Sequence, residues 1–239
     1  MKNKDIINQW DNAAKVYSEN QRTAPNNLTN WQIIKDIISY FTNKIILDAG
    51  CGDGFFSNEM KELGAKVYAC DGSRNLIQIA KNDFVDVEFK VCDLTESLPY
   101  SDKFFDIVVS SLTLMDIEYL DEFFKETYRI LKDDGKLIFT IVHPCFFQAE
   151  WEKDSNGKKL WKKIENYWDM NEISLNYWGE TTHYHRPITW YTKKLKESGF
   201  TIEEIKENPD NIDTFLPIKP HQKRIPLFIC FSCLKKINF

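Results

Sequence analysis

Apolar positions along the first 140 residues follow two alternating rhythms. In LTNWQIIKDIISYF (28–41), Trp31, Ile34, Ile37, Ile38 and Phe41 recur at the spacing of one helix face. KIILDAG is a short apolar run closed by glycine, the pattern of a strand buried on both faces. FFSNEMKELG then predicts a helix stopped at Gly64, and AKVYACD a second strand. SRNLIQIAKN reads as a helix with Ser73 as N-cap, followed by a third strand in VDVEFKVCD and a fourth in FFDIVVSS. EYLDEFFKETYRIL places Leu120, Phe123, Phe124, Thr127 and Leu131 on one face, and KDDG turns into a fifth strand, KLIFTIVHP. Strands alternating with helices imply right-handed crossovers and a parallel sheet covered by helices.

The rhythm breaks after Pro144. Residues 146–187 hold four of the seven tryptophans together with Phe146, Phe147, Tyr167, Tyr177 and Tyr184, and His143, His183 and His185 bracket them. Regular structure returns with PITWYTKKLKESGF, a helix opened by Pro187 and closed by Gly199. TIEEIKE and IPLFICFSCLKK follow without a crossover helix between them, so they are expected as an antiparallel pair at the sheet edge.

Composition narrows the setting. With 239 residues, 43% of them hydrophobic, the chain can bury one sizeable core. A net charge of −5 offers no general attraction to nucleic acid or anionic lipid. No run has the length and apolarity of a membrane span, and the N-terminus lacks a signal-peptide core. The six cysteines form no disulfide framework, and Cys230 and Cys233 sit inside an apolar strand pattern without a second ligand pair, so no metal site is expected. These features predict a reduced, cytoplasmic protein.

The candidate chemistry starts at IILDAGCGDGFF, where Gly50, Gly52 and Gly54 occupy alternate positions behind the first strand. Core packing does not call for three glycines there; a ligand lying against the backbone does. The dinucleotide fingerprint needs G-x-G-x-x-G, and its third position here is Phe55. Asp71, at the end of the second strand, meets the requirement for a ribose partner. Asp48 and Asp53 beside the turn repel a pyrophosphate and suit a cofactor with an ammonium group and a positive sulfur.

LDAGCGDG resembles the first motif of class I S-adenosylmethionine-dependent methyltransferases. The resemblance continues through Asp71 in YACDGS, Asp93 in VCDL, FDIVVSSLTLMDI and YRILKDDGKLIFTIVHP, over residues 43–144. HYHRPITWYTKKLKESGFTIEEIKE is similar to a stretch of a small-molecule branch. Met115–Asp116 departs from the pattern, since many relatives carry histidines there. The resemblance implies an α/β, Rossmann-like, doubly wound and mostly parallel seven-stranded sheet, with the antiparallel C-terminal edge pair and an aromatic-rich insertion after strand five. It implies one domain over 1–239: an N-terminal helical lid (1–42), a cofactor-binding core (43–144), an insertion acting as substrate lid (145–187), and a C-terminal helix and strands (188–239).

The same resemblance implies S-adenosylmethionine as cofactor and S-adenosylhomocysteine as product. Gly50, Cys51 and Gly52 would pass close to its methionine half, with Asp48 supporting the loop. Asp71 would hold both ribose hydroxyls, Gly72 and Leu76 would border the adenine, and Asp93 and Leu94 would bond its edge. Ser110 would meet the amino end through its backbone, and Tyr17 would fold over the site. His143, at the end of strand five, is the candidate base or orienting group, with a structural histidine bonded to a lid backbone as its alternative. Trp178, His183, Tyr184, His185 and Arg186 are candidate acceptor contacts, the last two weighed against capping and lid docking.

A small-molecule acceptor methylated on N or O fits the acidic charge and aromatic insertion, and the protein is expected as a monomer or homodimer without nucleic-acid or membrane partners. Alternatives are methylation of RNA or protein, supported only by Lys219, His221, Lys223 and Arg224, and a non-catalytic cofactor-binding module. A nicotinamide dehydrogenase is disfavoured by Phe55.

Overall fold

The computed structural model describes residues 3–22, 24–207 and 225–236. Its centre is a seven-stranded sheet in the order β3-β2-β1-β4-β5-β11-β10. The strands are β1 (Ile45–Ala49), β2 (Lys66–Asp71), β3 (Glu88–Val91), β4 (Phe105–Ser111), β5 (Leu131–Val142), β10 (Phe200–Glu207) and β11 (Phe228–Lys235). β1 to β5 pair in parallel, whereas β11 runs antiparallel to both β5 and β10. The late pair therefore closes one edge as its missing crossover helix implies, with β11 on the inside.

Helices cover both faces because both are apolar. Against one face, α2 (Pro25–Ile38), α3 (Phe55–Glu62) and α4 (Arg74–Asp83) bury Trp31, Ile33, Ile34, Met60, Ile77 and Ala80. Against the other, α5 (Asp121–Ile130) and α6 (Ile188–Glu197) bury Phe123, Phe124, Tyr191 and Leu195 on Phe139 and Phe231. Burying each such side chain contributes about 1.5–3 kcal/mol. α2 ends at Ile38, short of its apolar pattern, because Ser39 takes a left-handed conformation; Phe41 is buried from the following turn. KDDG interrupts the β4–β5 register: Phe105 pairs with Leu131, and Ile107 with Lys136.

Two segments stand outside this frame. α1 (Asn3–Gln21) lies across the carboxyl side of the sheet, touching α4 and the insertion. The insertion forms two hairpins, β6 (Glu150–Lys153) with β7 (Lys159–Lys163), and β8 (Glu172–Leu175) with β9 (Thr181–Tyr184). β9 is buried along its length, in contact with α1 and with the single-turn helix Leu114–Asp116 that follows β4. No described helix is long and apolar enough to cross a membrane. Lys219, His221, Lys223 and Arg224 lie outside the described residues.

Candidate active site

The strand order reverses between β1 and β4, and open α/β sheets bind ligands outside the carboxyl ends of the strands at that point. A cleft sits there. Gly50, Gly52, Asp71, Gly72, Leu76, Asp93 and Leu94 line its floor and sides, and Tyr17 its roof.

The glycines have separate causes. Gly50 has φ +79°, and a Cβ there would collide with the side chain of Thr113, whose hydroxyl donates to the Gly50 carbonyl at 3.1 Å. Gly54 also has φ +79°, but its missing Cβ makes room for Phe89 and Ala80, 2.7 and 2.9 Å from where that atom would lie. Core packing therefore does account for the third glycine, contrary to the sequence expectation, and the ligand-facing pair is Gly50 and Gly52.

The acids divide likewise. Asp71 accepts from the backbone N–H groups of Gly52 (2.9 Å) and Ser73 (2.8 Å), which fixes its carboxylate at the cleft wall. Burial raises its pKa against those bonds. Asp93 receives Asn3 Nδ2, Thr95 N and Thr95 Oγ1, all on Oδ1. Asp48 lies under the loop rather than in the cleft, accepting from Ser57 Oγ at 2.6 Å; burial, then Asp71 and Asp53, push it up to about 7. Asp53 accepts from Ser18 Oγ and forms an ion pair with Arg22 at 2.7 Å. The electrostatic case built on Asp48 and Asp53 thus moves to Asp71, Asp93 and Asp116, the carboxylates that line the cleft.

Two other expected cofactor contacts shift, while Tyr17 stays at the cleft. Ser110 is fully buried and donates to the Ala49 carbonyl; its neighbour Ser111, with Leu112 and Thr113, lines the cleft instead. Strand alternation turns adjacent serines to opposite sides, and the sequence alone does not say which faces outward. Cys51 packs into the α2–α4 side of the core, where burial, then Asp48, raises its thiol pKa. Tyr17 packs edge-on against both Trp10 (5.4 Å) and Trp178 (5.2 Å), joining α1 to the insertion. Trp10 lies seven residues before Tyr17 on the same helix face, a spacing that marks it as a second cleft residue.

A second, larger chamber adjoins the cleft and shares Trp10, Tyr17 and Leu112 with it. Its other walls include Asn20, Asn27, Met115, Phe147, Trp178 and His183. Trp178 and His183 thus reach the expected acceptor side.

Their neighbours do not. Tyr184, His185 and Arg186 border a separate small cavity. His185 bonds the Tyr167 carbonyl at 3.0 Å, and Arg186 donates to the carbonyls of Leu114, Ile117 and Glu118 while stacking on Trp190. That guanidinium holds the turn after β4 and has no free fork for an anion.

His143 is also corrected. It lines neither chamber: Nδ1 accepts from the Cys145 N–H at 3.2 Å, so Nε2 carries the proton shared with Glu207 Oε1 at 2.7 Å. With both nitrogens engaged and the ring packed at a tilt against Phe146, no lone pair faces a substrate. Burial lowers its pKa, with Glu207 opposing.

Residues 47–139 match the methyltransferase domain family. Over 210 residues the chain is 30% identical to a malonyl-[acyl-carrier protein] O-methyltransferase from Buchnera aphidicola, covering 86% of this chain and 81% of that protein. It is a class I S-adenosylmethionine-dependent methyltransferase. A solved structure from Listeria monocytogenes, described as a candidate S-adenosylmethionine-dependent methyltransferase, is 28% identical with a TM-score of 0.77, covering 88% of this chain and 98% of that one. The mitochondrial ubiquinone biosynthesis O-methyltransferase of Mus musculus is 34% identical over 105 residues, 41% of this methyltransferase and 28% of that protein.

The residues present fit the cofactor. Gly50 and Gly52 line the cleft floor, the fixed carboxylate of Asp71 suits two vicinal hydroxyls, and Oδ2 of Asp93 takes part in none of its three bonds.

Proposed function

We propose that this methyltransferase transfers the methyl group to an oxygen or nitrogen of a small-molecule acceptor by in-line displacement. The observation that carries this reading is the pair of adjoining chambers that share Trp10, Tyr17 and Leu112 in their walls. S-adenosylmethionine, when bound, supplies an electrophilic methyl carbon. Asp71 would hold its ribose, Gly50 and Gly52 its amino-acid portion, and Leu76, Asp93 and Leu94 its base. α1 and the insertion would exclude water, with Tyr17, Trp10 and Trp178 as the closing ring cluster. Holding the acceptor about 3–3.5 Å from the methyl carbon is the protein's main contribution to the rate.

The relatives support a small acceptor: one is named for a malonyl group on a carrier protein, another for ubiquinone biosynthesis. The test is transfer of radiolabelled methyl from the cofactor to pooled small alcohols, phenols, amines and carboxylates, beside bulk RNA and a protein lysate. Label in a small product supports the reading. Label confined to RNA or protein overturns it.

A further inference from the structure

His183 and Asp116 stand at the partition between the two chambers. Asp116 lines the cofactor cleft, and His183 lines the aromatic chamber. Nε2 of His183 is 3.1 Å from Oδ1 of Asp116, and the two residues are 6% and 5% exposed. The contact is close but not aligned as a hydrogen bond, so Oδ1 of Asp116 still lacks a donor, and Nδ1 of His183 has no partner at all. Buried polar atoms left unpaired are costly, so they call for a ligand that completes them.

We propose that His183 is the general base of the reaction, oriented by Asp116, and that the acceptor is a neutral aromatic molecule attacking through a phenol-type hydroxyl. The proposal rests on the small-molecule reading above. It specifies the acceptor because a base is needed only when the attacking atom holds a proton; a carboxylate acceptor, such as a malonyl group, needs none. The chamber offers a planar guest Trp10, Tyr17, Phe147 and Trp178, with the Asn20 and Asn27 amides for polar substituents. Phe147 stacks on His183 itself, 5.6 Å between centroids, and fixes the ring plane.

With Nε2 turned toward Asp116 and Nδ1 unpartnered, Nδ1 is the nitrogen that takes the proton. The hydroxyl proton passes to Nδ1, and the electron pair left on oxygen forms the new bond to the methyl carbon. The pair of the broken carbon–sulfur bond stays on sulfur, which becomes a neutral thioether. The imidazolium beside Asp116 then releases its proton to solvent.

Burial holds His183 in its neutral, proton-accepting form, with a pKa of about 4. Burial and then Asp71 raise the pKa of Asp116, opposed by a Trp10 hydrogen bond and the charge of Arg186. Tyr17 faces the same carboxylate, and burial keeps its phenol protonated.

The experiment compares wild type, His183→Ala and Asp116→Asn, each checked for fold by thermal melting and for S-adenosylhomocysteine affinity by calorimetry. The probes are 4-methylphenol, un-ionised at pH 8, and 4-nitrophenol, largely ionised there. His183→Ala is expected to lower turnover of 4-methylphenol by about 100-fold or more, and of 4-nitrophenol by only a few-fold. Nitrogen-15 spectra of histidine-labelled protein with S-adenosylhomocysteine should show a neutral His183 protonated on Nε2, a tautomer weakened in Asp116→Asn. Equal losses for both phenols, a proton on Nδ1, or no transfer from wild type to either phenol while S-adenosylhomocysteine binds would overturn the proposal. Loss of S-adenosylhomocysteine binding by wild type would instead sink the methyltransferase reading beneath it.

Discussion

Arg22 Nε donates to Asp53 Oδ2 at 2.7 Å, tying the end of the N-terminal helix to the loop after β1. A second Arg22 nitrogen reaches Asp83 at 2.6 Å, Ser18 bonds the same Asp53 oxygen, and Asp11 accepts from Ser73 and Asn75 at the start of α4. The helix roofing the cleft is therefore latched to two elements of the core. Arg22→Ala is expected to speed amide exchange across residues 3–22 and to weaken S-adenosylhomocysteine binding several-fold. Global stability should fall by about 1 kcal/mol or less, because the pair is partly solvated. Unchanged exchange in α1 would show that apolar contacts alone hold it.

Asp71 combines a fixed orientation with a charge that ribose hydroxyls would share. Asp71→Ala should weaken cofactor binding by roughly ten- to hundred-fold, the worth of about 1.5–3 kcal/mol for hydrogen bonds to a charged group. Calorimetry with S-adenosylhomocysteine reads this directly, and an unchanged dissociation constant would place the ribose elsewhere.

Arg186 sits among three backbone carbonyls, so its loss leaves buried acceptors unpaired. Arg186→Met is expected to cost about 3 kcal/mol or more in chemical unfolding. Arg186→Lys should recover only part of that, since a single ammonium does not reproduce the planar fork. A full rescue by lysine would mean that charge alone matters there.

His143→Ala should reduce stability by about 1–3 kcal/mol through the lost Glu207 and Cys145 bonds while leaving turnover within a few-fold of wild type. A loss of turnover near that of His183→Ala, with the fold intact, would return the base role to His143.

Glu126 accepts from Arg129, Ser97 and the Leu98 N–H, and the Arg129 bond leads in lowering its pKa from 4.5 to about 2. A depressed carboxylate stabilises the fold above its unfolded pKa and ceases to do so as pH falls through the folded value. The contribution, about 3 kcal/mol at most, should fade between about pH 4.5 and pH 2. Melting profiles of wild type and Glu126→Gln should converge across that window; curves that stay parallel would remove Glu126 from the acid transition.

The sheet and the donor side were largely legible in the chain, because strand runs such as KIILDAG and caps such as Ser73 are local signals. Asp71 was legible for the same reason, being placed by the strand that ends on it. The acceptor side was not. β6 to β9 are four or five residues long and irregular in pattern, and pairings such as His183 with Asp116 join positions far apart in sequence. His143 misled because a histidine at a strand end looks the same whether it faces a ligand or Glu207, and only the arrival of β10 decides. Arg186 misled similarly, its partners being backbone carbonyls that no side-chain pattern announces.

The two chambers draw their walls from different parts of the chain: strand ends and their loops supply most of the donor floor, while α1, the insertion and β11 contribute most of the acceptor wall. On the proposed function, changes in residues 145–187 would retarget what is methylated without disturbing Asp71 or the Gly50 turn. In an evolving lineage, acceptor preference can drift while the cofactor stays constant, and grafting this segment onto a relative's core would be a direct way to exchange substrate scope.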